Sequence, residues 1–305
     1  MITLQFYGLM KYFCLLIVLY TCNAMQTAAA TPRLYVYDTT LHAKPDTTDT
    51  IVKKASISAG VSYGSDVQFF GRTGPIKYPY VSSDVIYNTK NGFFLYTYGL
   101  KVLGYNPLFD EIDLGGGYLY HYSKKFTGTV SYTHFFFNRD AAEVIRSGSS
   151  NDVNWKNTYD WGFAKSSVTV DYLFGAENDG FVTVNTTKHF ESSFSIFDDK
   201  DYLTLDPTIT AIMGTQNFVQ RYAMDHAYQF DLNNIYFDNP NQPRLASNNS
   251  DFNMLNYSIK IPIAYNRPHY TLEFAYKYSI PVNVEGLLKN HHESFYYLTF
   301  FYVFY

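Results

Sequence analysis

From about residue 55 onward, apolar and polar side chains take turns along the chain. Successive residues of an extended strand point to opposite faces, so this period of two describes strands with one greasy and one hydrophilic face. Over 270–280 one face reads Tyr270, Leu272, Phe274, Tyr276, Tyr278 and Ile280, and the other reads Thr271, Glu273, Ala275, Lys277 and Ser279. Residues 255–265 repeat the pattern, and the turn sequence NRPH separates the two runs. Strands are predicted near 55–69, 78–87, 92–103, 112–122, 126–137, 152–162, 165–174, 181–191, 201–213, 253–264, 269–280 and 294–305.

The connections alternate in length. Those at 88–92, 123–126, 163–166, 198–200 and 266–269 are short, whereas 70–77, 104–111, 138–151, 214–252 and 281–293 are mostly longer; the turn at 175–180 is short where a long one is due. An even strand number with tight turns on one side and long loops on the other predicts an all-β fold. The expected form is a transmembrane, antiparallel, up-and-down β-barrel of about 12 strands, with 10–14 allowed and the tight turns facing the periplasm. Segment 214–252 is long enough to be a functional loop folded over or into the lumen. Alternatively, its FVQRYAMDHAYQF stretch adds a strand pair and makes fourteen.

A secreted sandwich or soluble barrel also alternates, but with the apolar face inside. Periodicity alone does not say which face points outward. Strand lengths of roughly 9–11 residues suit a tilted crossing of a bilayer. Tyr and Phe crowd toward strand ends, as in interfacial girdles.

Composition sharpens this picture. Of 305 residues, 31 are Tyr and 26 Phe, aromatics make up 19 %, and charged residues only 16 %. The net charge of −4 offers no basic field for a phosphate backbone, so no nucleic-acid partner is expected. Beyond residue 20 no apolar run is long enough for a transmembrane helix.

Residues 12–20 (YFCLLIVLY) follow Lys11 and precede small residues, the layout of a secretory signal peptide over 1–30 with cleavage near Ala24 or Ala30. Met10-Lys11 offers a second starting point. Thr21-Cys22 is a weak lipobox, and at most one of Cys14 and Cys22 survives processing. Residues 31–54 then form a polar periplasmic arm ahead of a barrel over 55–305.

The chain ends in SFYYLTFFYVFY. This resembles the last strand of Gram-negative outer-membrane barrels, which is read by the barrel-assembly machinery. Phe295, Tyr297, Phe301, Val303 and Tyr305 match the alternating pattern and Thr299 departs from it, while the opposite parity is apolar too. With the GTQ, LFG and YSIP elements, the mature chain resembles outer-membrane β-barrel proteins common in Bacteroidota. The resemblance implies outer-membrane lipid and the assembly machinery as partners, and it specifies no activity.

A polar inner face would place Asp84, Lys101, Asp113, His121, Asp171, Asp206, Lys260, Glu273 and Lys277 along the lumen. Twelve tilted strands close at roughly 12 Å radius, which side chains narrow to a small pore or fill. Two readings follow: a charged constriction selecting small polar solutes, or an ion-pair network bracing a closed barrel. The first makes the protein a narrow, porin-like passive channel and the second a structural barrel. The run His291-His292-Glu293-Ser294 supports the alternative of a rim-active lipid hydrolase if Ser and His share a face. A third class is an adhesion or partner-binding barrel acting through its loops. Asp225-His226 and His189 do not assemble the three or four ligands that zinc requires, and His134, inside THFFF, is expected in an interfacial belt. No catalytic set, metal site or cofactor is expected.

Overall fold

The computed structural model describes residues 55–74, 76–139, 141, 149–217, 251–284, 288 and 290–304. The segments expected to form the signal peptide and the N-terminal arm, residues 218–250 and Tyr305 lie outside them. The alternating segments form β1 (Ser56–Gly64), β2 (Tyr80–Asn88), β3 (Phe93–Val102), β4 (Glu111–His121), β5 (Phe126–Phe137), β6 (Ser149–Asp160) and β7 (Lys165–Gly175). They continue as β8 (Asp179–Thr187), β9 (Phe190–Glu191), β10 (Tyr202–Leu205), β11 (Thr208–Gly214), β12 (Asn253–Asn266), β13 (Tyr270–Pro281) and β14 (Glu293–Phe304). All belong to one antiparallel sheet, and β1 pairs with β14 to close it.

Two of these wall strands are interrupted. β10 and β11 face β12 in one unbroken register, with Leu205 opposite Ile263 and Thr208 opposite Lys260. β9 and β8 face β10 and β11 in the same way. The interruption falls at Pro207, which has no N–H to give to a ladder. Pro262 on β12 faces the adjacent Asp206, whose amide donates to its carbonyl at 3.3 Å, so the two deficient positions are offset by one residue. Counted this way the wall has twelve strands. Pairing followed once around the wall climbs about 16 residues, which for twelve strands means a tilt of roughly 40–45° and a backbone radius of about 12–13 Å.

Burial settles which face is which. Ile57, Val61, Val85, Leu95, Leu114, Trp155, Ile209, Ile261, Phe274 and Leu298, drawn from around the wall, are all exposed. Their polar alternates, such as Ser58, Ser82, Asp113, Asp171, Thr210, Ser258 and Glu273, are buried inside. A greasy exterior around a polar interior is the arrangement of a barrel solvated by lipid, the reverse of a sandwich.

The inner face is not polar throughout. At the long-loop end, Tyr80, Tyr98, Leu100 and Val102 gather around Val67. Leu173, Phe181, Ile212 and Leu255 gather around Phe70 on the far wall. Leu255 reaches inward because a bulge opposite Ile212/Met213 adds one residue to β12. Val67 and Phe70 belong to neither wall. The predicted strand over 55–69 ends at Gly64, and residues 65–74 turn inward across the lumen.

Candidate functional site

The inward segment is a small hairpin. Val67 N donates to Tyr78 O at 3.1 Å, and Phe69 and Arg72 exchange two backbone bonds of 2.9 Å. Phe70 and Gly71 at its tip both have positive φ, 45° and 76°, as a two-residue type I′ turn requires. Phenylalanine in that region costs about 1–2 kcal/mol. Burial of its ring, worth about 2–3 kcal/mol, offsets this. The ring stacks on Phe181, with centroids 3.5 Å apart and planes 5° off parallel. Gly71 is required twice over, since a Cβ there would also meet Asn256 Cβ at 2.5 Å.

Arg72 fixes the tip. Its side chain is 1 % exposed. Nη1 donates to Leu255 O at 2.7 Å, and Nη2 donates to Gln216 Oε1 at 2.8 Å, Val282 O at 2.7 Å and Asn283 O at 3.0 Å. One planar fork thus ties the hairpin to β12 and to the connections after β11 and β13. Thr73 Oγ1 donates to Glu293 Oε2 at 2.6 Å, and Asn256 Nδ2 donates to Gly71 O at 3.2 Å.

Below the hairpin the predicted charges divide between opposite walls. Asp84, Asp113 and Asp171 face inward from β2, β4 and β7, and Asp152 of β6, missed in the sequence reading, joins them. Lys156 also faces in from β6. Asp84 sits over Gly60, which leaves room for the carboxylate against the wall. Asn154 Nδ2 donates to Asp171 Oδ1 at 2.5 Å. Lys260 and Lys277 project from β12 and β13 as directly paired residues, and β12 stands half-way round the wall from β4. Allowing for the stagger, the four aspartates and two lysines lie within about 8 Å of one another along the barrel axis.

The lysines are held differently. Lys260 Nζ donates to Glu273 Oε1 at 3.0 Å and lies 5.8 Å from the Tyr297 ring centroid. Lys277, 5 % exposed, donates to Gln68 Oε1 of the hairpin at 2.7 Å and lies 5.9 Å from the Phe295 ring. Gln68 Nε2 in turn donates to the Tyr297 hydroxyl at 3.1 Å. The hairpin therefore touches the basic wall as well as closing over it.

Other predicted residues are placed elsewhere. Lys101 is a correction: it shares its face of β3 with the exposed Leu95 and Phe93, outside the lumen. Its amine donates to Tyr105 O and stands 3.9 Å from Asp110. His121 lies at the turn end of β4, exposed. Asp206 occupies the interruption beside Pro207, where its Oδ1 meets His189 Nδ1 at 2.6 Å. In the C-terminal strand, Phe295, Tyr297, Phe301 and Val303 face the interior, and the lipid-facing set is Tyr296, Leu298, Phe300, Tyr302 and Phe304. Thr299 marked this inner face, since its hydroxyl accepts from Ser62 at 3.0 Å. In the HHES run, Glu293 faces inward to Thr73, the Ser294 hydroxyl bonds to the Tyr276 hydroxyl at 2.9 Å, and His292 lies 5.9 Å from the Tyr278 ring. His134 is on the outer face of β5 beside Asn151, 2.8 Å away, at the loop-side rim.

No protein-family model matches the chain, and no curated protein sequence matches it either. Among solved structures it is similar to a KdgM porin, at TM-score 0.45 and 8 % identity over 81 % of this chain and 99 % of that one. It is similar to LpxR from Salmonella typhimurium, at TM-score 0.42 and 7 % identity over 80 % and 99 % of the two chains. An outer membrane channel from Pseudomonas putida F1 gives TM-score 0.38 and 9 % identity over 85 % and 100 %. At such values nothing about ligand or activity passes from them to this chain.

Proposed function

We propose that this protein is an outer-membrane barrel that passes small polar solutes through a lumen narrowed by the hairpin at 65–74. The observation carrying this reading is the uneven distribution of charge near one level: Asp84, Asp113, Asp152 and Asp171, with Lys156 among them, on one side face Lys260 and Lys277, with Glu273 beside them, on the other. On the basic side Glu273 lies against Lys260, and Lys277 donates to the neutral Gln68. Separated walls set up a field across the lumen that acts on whatever passes between them. Export by the N-terminal signal and insertion by the barrel-assembly machinery complete the proposal.

Planar-bilayer recording of the purified protein tests it. Steady current, with a reversal potential that moves when Glu273 or Asp113 is neutralised, supports a channel. A folded barrel that stays silent under every condition refutes it.

A further inference from the structure

The longest excursion on the tight-turn side is the β9–β10 hairpin, whose 192–201 segment replaces the three-residue turn expected at 198–200. It projects past the wall because β8–β9 and β10–β11 continue beyond the Pro207 interruption. Its tip presents Phe194, Ile196 and Phe197 to the surroundings, with Phe197 79 % and Phe194 62 % exposed. The tip is firmly built. The Asp201 carboxylate accepts from the amides of Ile196 at 2.7 Å, Phe197 at 2.9 Å and Asp198 at 3.4 Å, and from the Tyr265 hydroxyl at 2.9 Å. Burial alone would raise the Asp201 carboxyl, but these donors hold it below the ordinary carboxylate value. Arg267 pairs with Asp198 on the same loop.

These rings are continuous with the lipid-facing wall. Phe197 packs edge-on to Tyr265 at 5.8 Å. Tyr265 continues to Tyr270 at 6.3 Å, and Tyr270 to Phe300 at 5.9 Å. Phe190, on the outer face of β9, lies beneath the Lys188 amine at 5.2 Å. Aromatic side chains interleaved with Lys188, Lys200 and Arg267 suit the head-group zone, where rings meet acyl chains and cations meet phosphates.

We propose that the β9–β10 hairpin is a lipid anchor, with Phe194, Ile196 and Phe197 seated in the phospholipid head-group region of the turn-side leaflet beside β12. It fixes the depth of the barrel on that side, independently of what the lumen carries.

The test uses the full chain with Cys14→Ser and Cys22→Ser, reconstituted in phosphatidylethanolamine/phosphatidylglycerol vesicles. A nitroxide is attached at Phe197→Cys, and collision rates with oxygen and with a water-soluble nickel chelate are measured. Labels at Ile261→Cys on the outer wall and Lys90→Cys in a tight turn give the lipid and aqueous references. The expected oxygen-to-nickel ratio at residue 197 is several-fold above that at residue 90 and approaches that at residue 261. A ratio matching residue 90 overturns the proposal. Shielding from both reagents also overturns it, because a protein partner or second copy then covers the tip. Phe194→Cys repeats the measurement if the first variant fails to fold.

Discussion

Replacing Arg72 with alanine is expected to free the hairpin from its inward position without disturbing the wall. The guanidinium makes four hydrogen bonds to β12 and to the residues following β11 and β13. Removing one partner of a buried charged network costs about 3–5 kcal/mol, because the remaining groups are left desolvated. If about 3 kcal/mol falls on the inward state alone, the inward-to-outward ratio drops roughly a hundredfold, at about 1.4 kcal/mol per factor of ten. None of the ladder bonds that close β1 on β14 involves Arg72, so the barrel itself stays folded. Cold and boiled samples in detergent gels verify that. Single-channel recording then reads the hairpin directly, and Arg72→Ala is expected to raise the open fraction strongly. Arg72→Lys, with one ammonium in place of a fork, falls between. A folded Arg72→Ala barrel whose current traces match those of the parent refutes the reasoning.

Four further outcomes follow from the same geometry. Gly71→Val puts a side chain where φ is 76° and against Asn256, so its traces should resemble those of Arg72→Ala; parental behaviour would show that the tip conformation is not needed. Glu273→Gln removes the carboxylate beside the adjacent Lys260 and Lys277, and the anion-to-cation permeability ratio from reversal potentials should rise about two- to fivefold. Asp113→Asn combined with Asp171→Asn removes charge from the facing wall and should move the reversal potential in the same anion-favouring direction; no movement in either variant leaves only a bracing role for these groups. Asp201 has a folded pKa below its unfolded value, so its contribution is fully present above about pH 4 and lost as pH falls through the folded value. The nitroxide at residue 197 should therefore keep one mobility from pH 8 to about pH 5 and loosen only below about pH 4; loosening near neutrality would contradict the assignment.

The wall was legible because its physics is local. Alternation along 270–280 is enough to put Glu273 and Lys277 on one face, which burial then shows to be the inner one, and each predicted strand has its counterpart. What alternation cannot say is where a strand stops being wall. Residues 65–69 continue the pattern of β1 in composition, yet Asp66 and Gln68 bond to the hairpin's own return and to Lys277. The cue was Gly71 beside Phe70, a turn signal inside an apparent loop. Lys101 was assigned inward by its charge alone, although Phe94, Tyr96 and Tyr98 already claimed the inner parity of β3. In the C-terminal strand both parities are aromatic, because the inner rings support Lys260 and Lys277, so hydrophobicity lost its power to separate the faces there. Asp152 was missed because β6 carries Asn151, Asn154 and Asn157 on both faces, which blurs the period of two.

The most direct test of a polar path crossed by its own first loop is to delete residues 66–77 and join β1 to β2 by a short Asn-Gly turn, then record current across a planar bilayer. A steady conductance well above that of the full chain is predicted, with selectivity still responsive to Glu273. A variant that folds as a barrel and passes no more current than its parent would contradict the account.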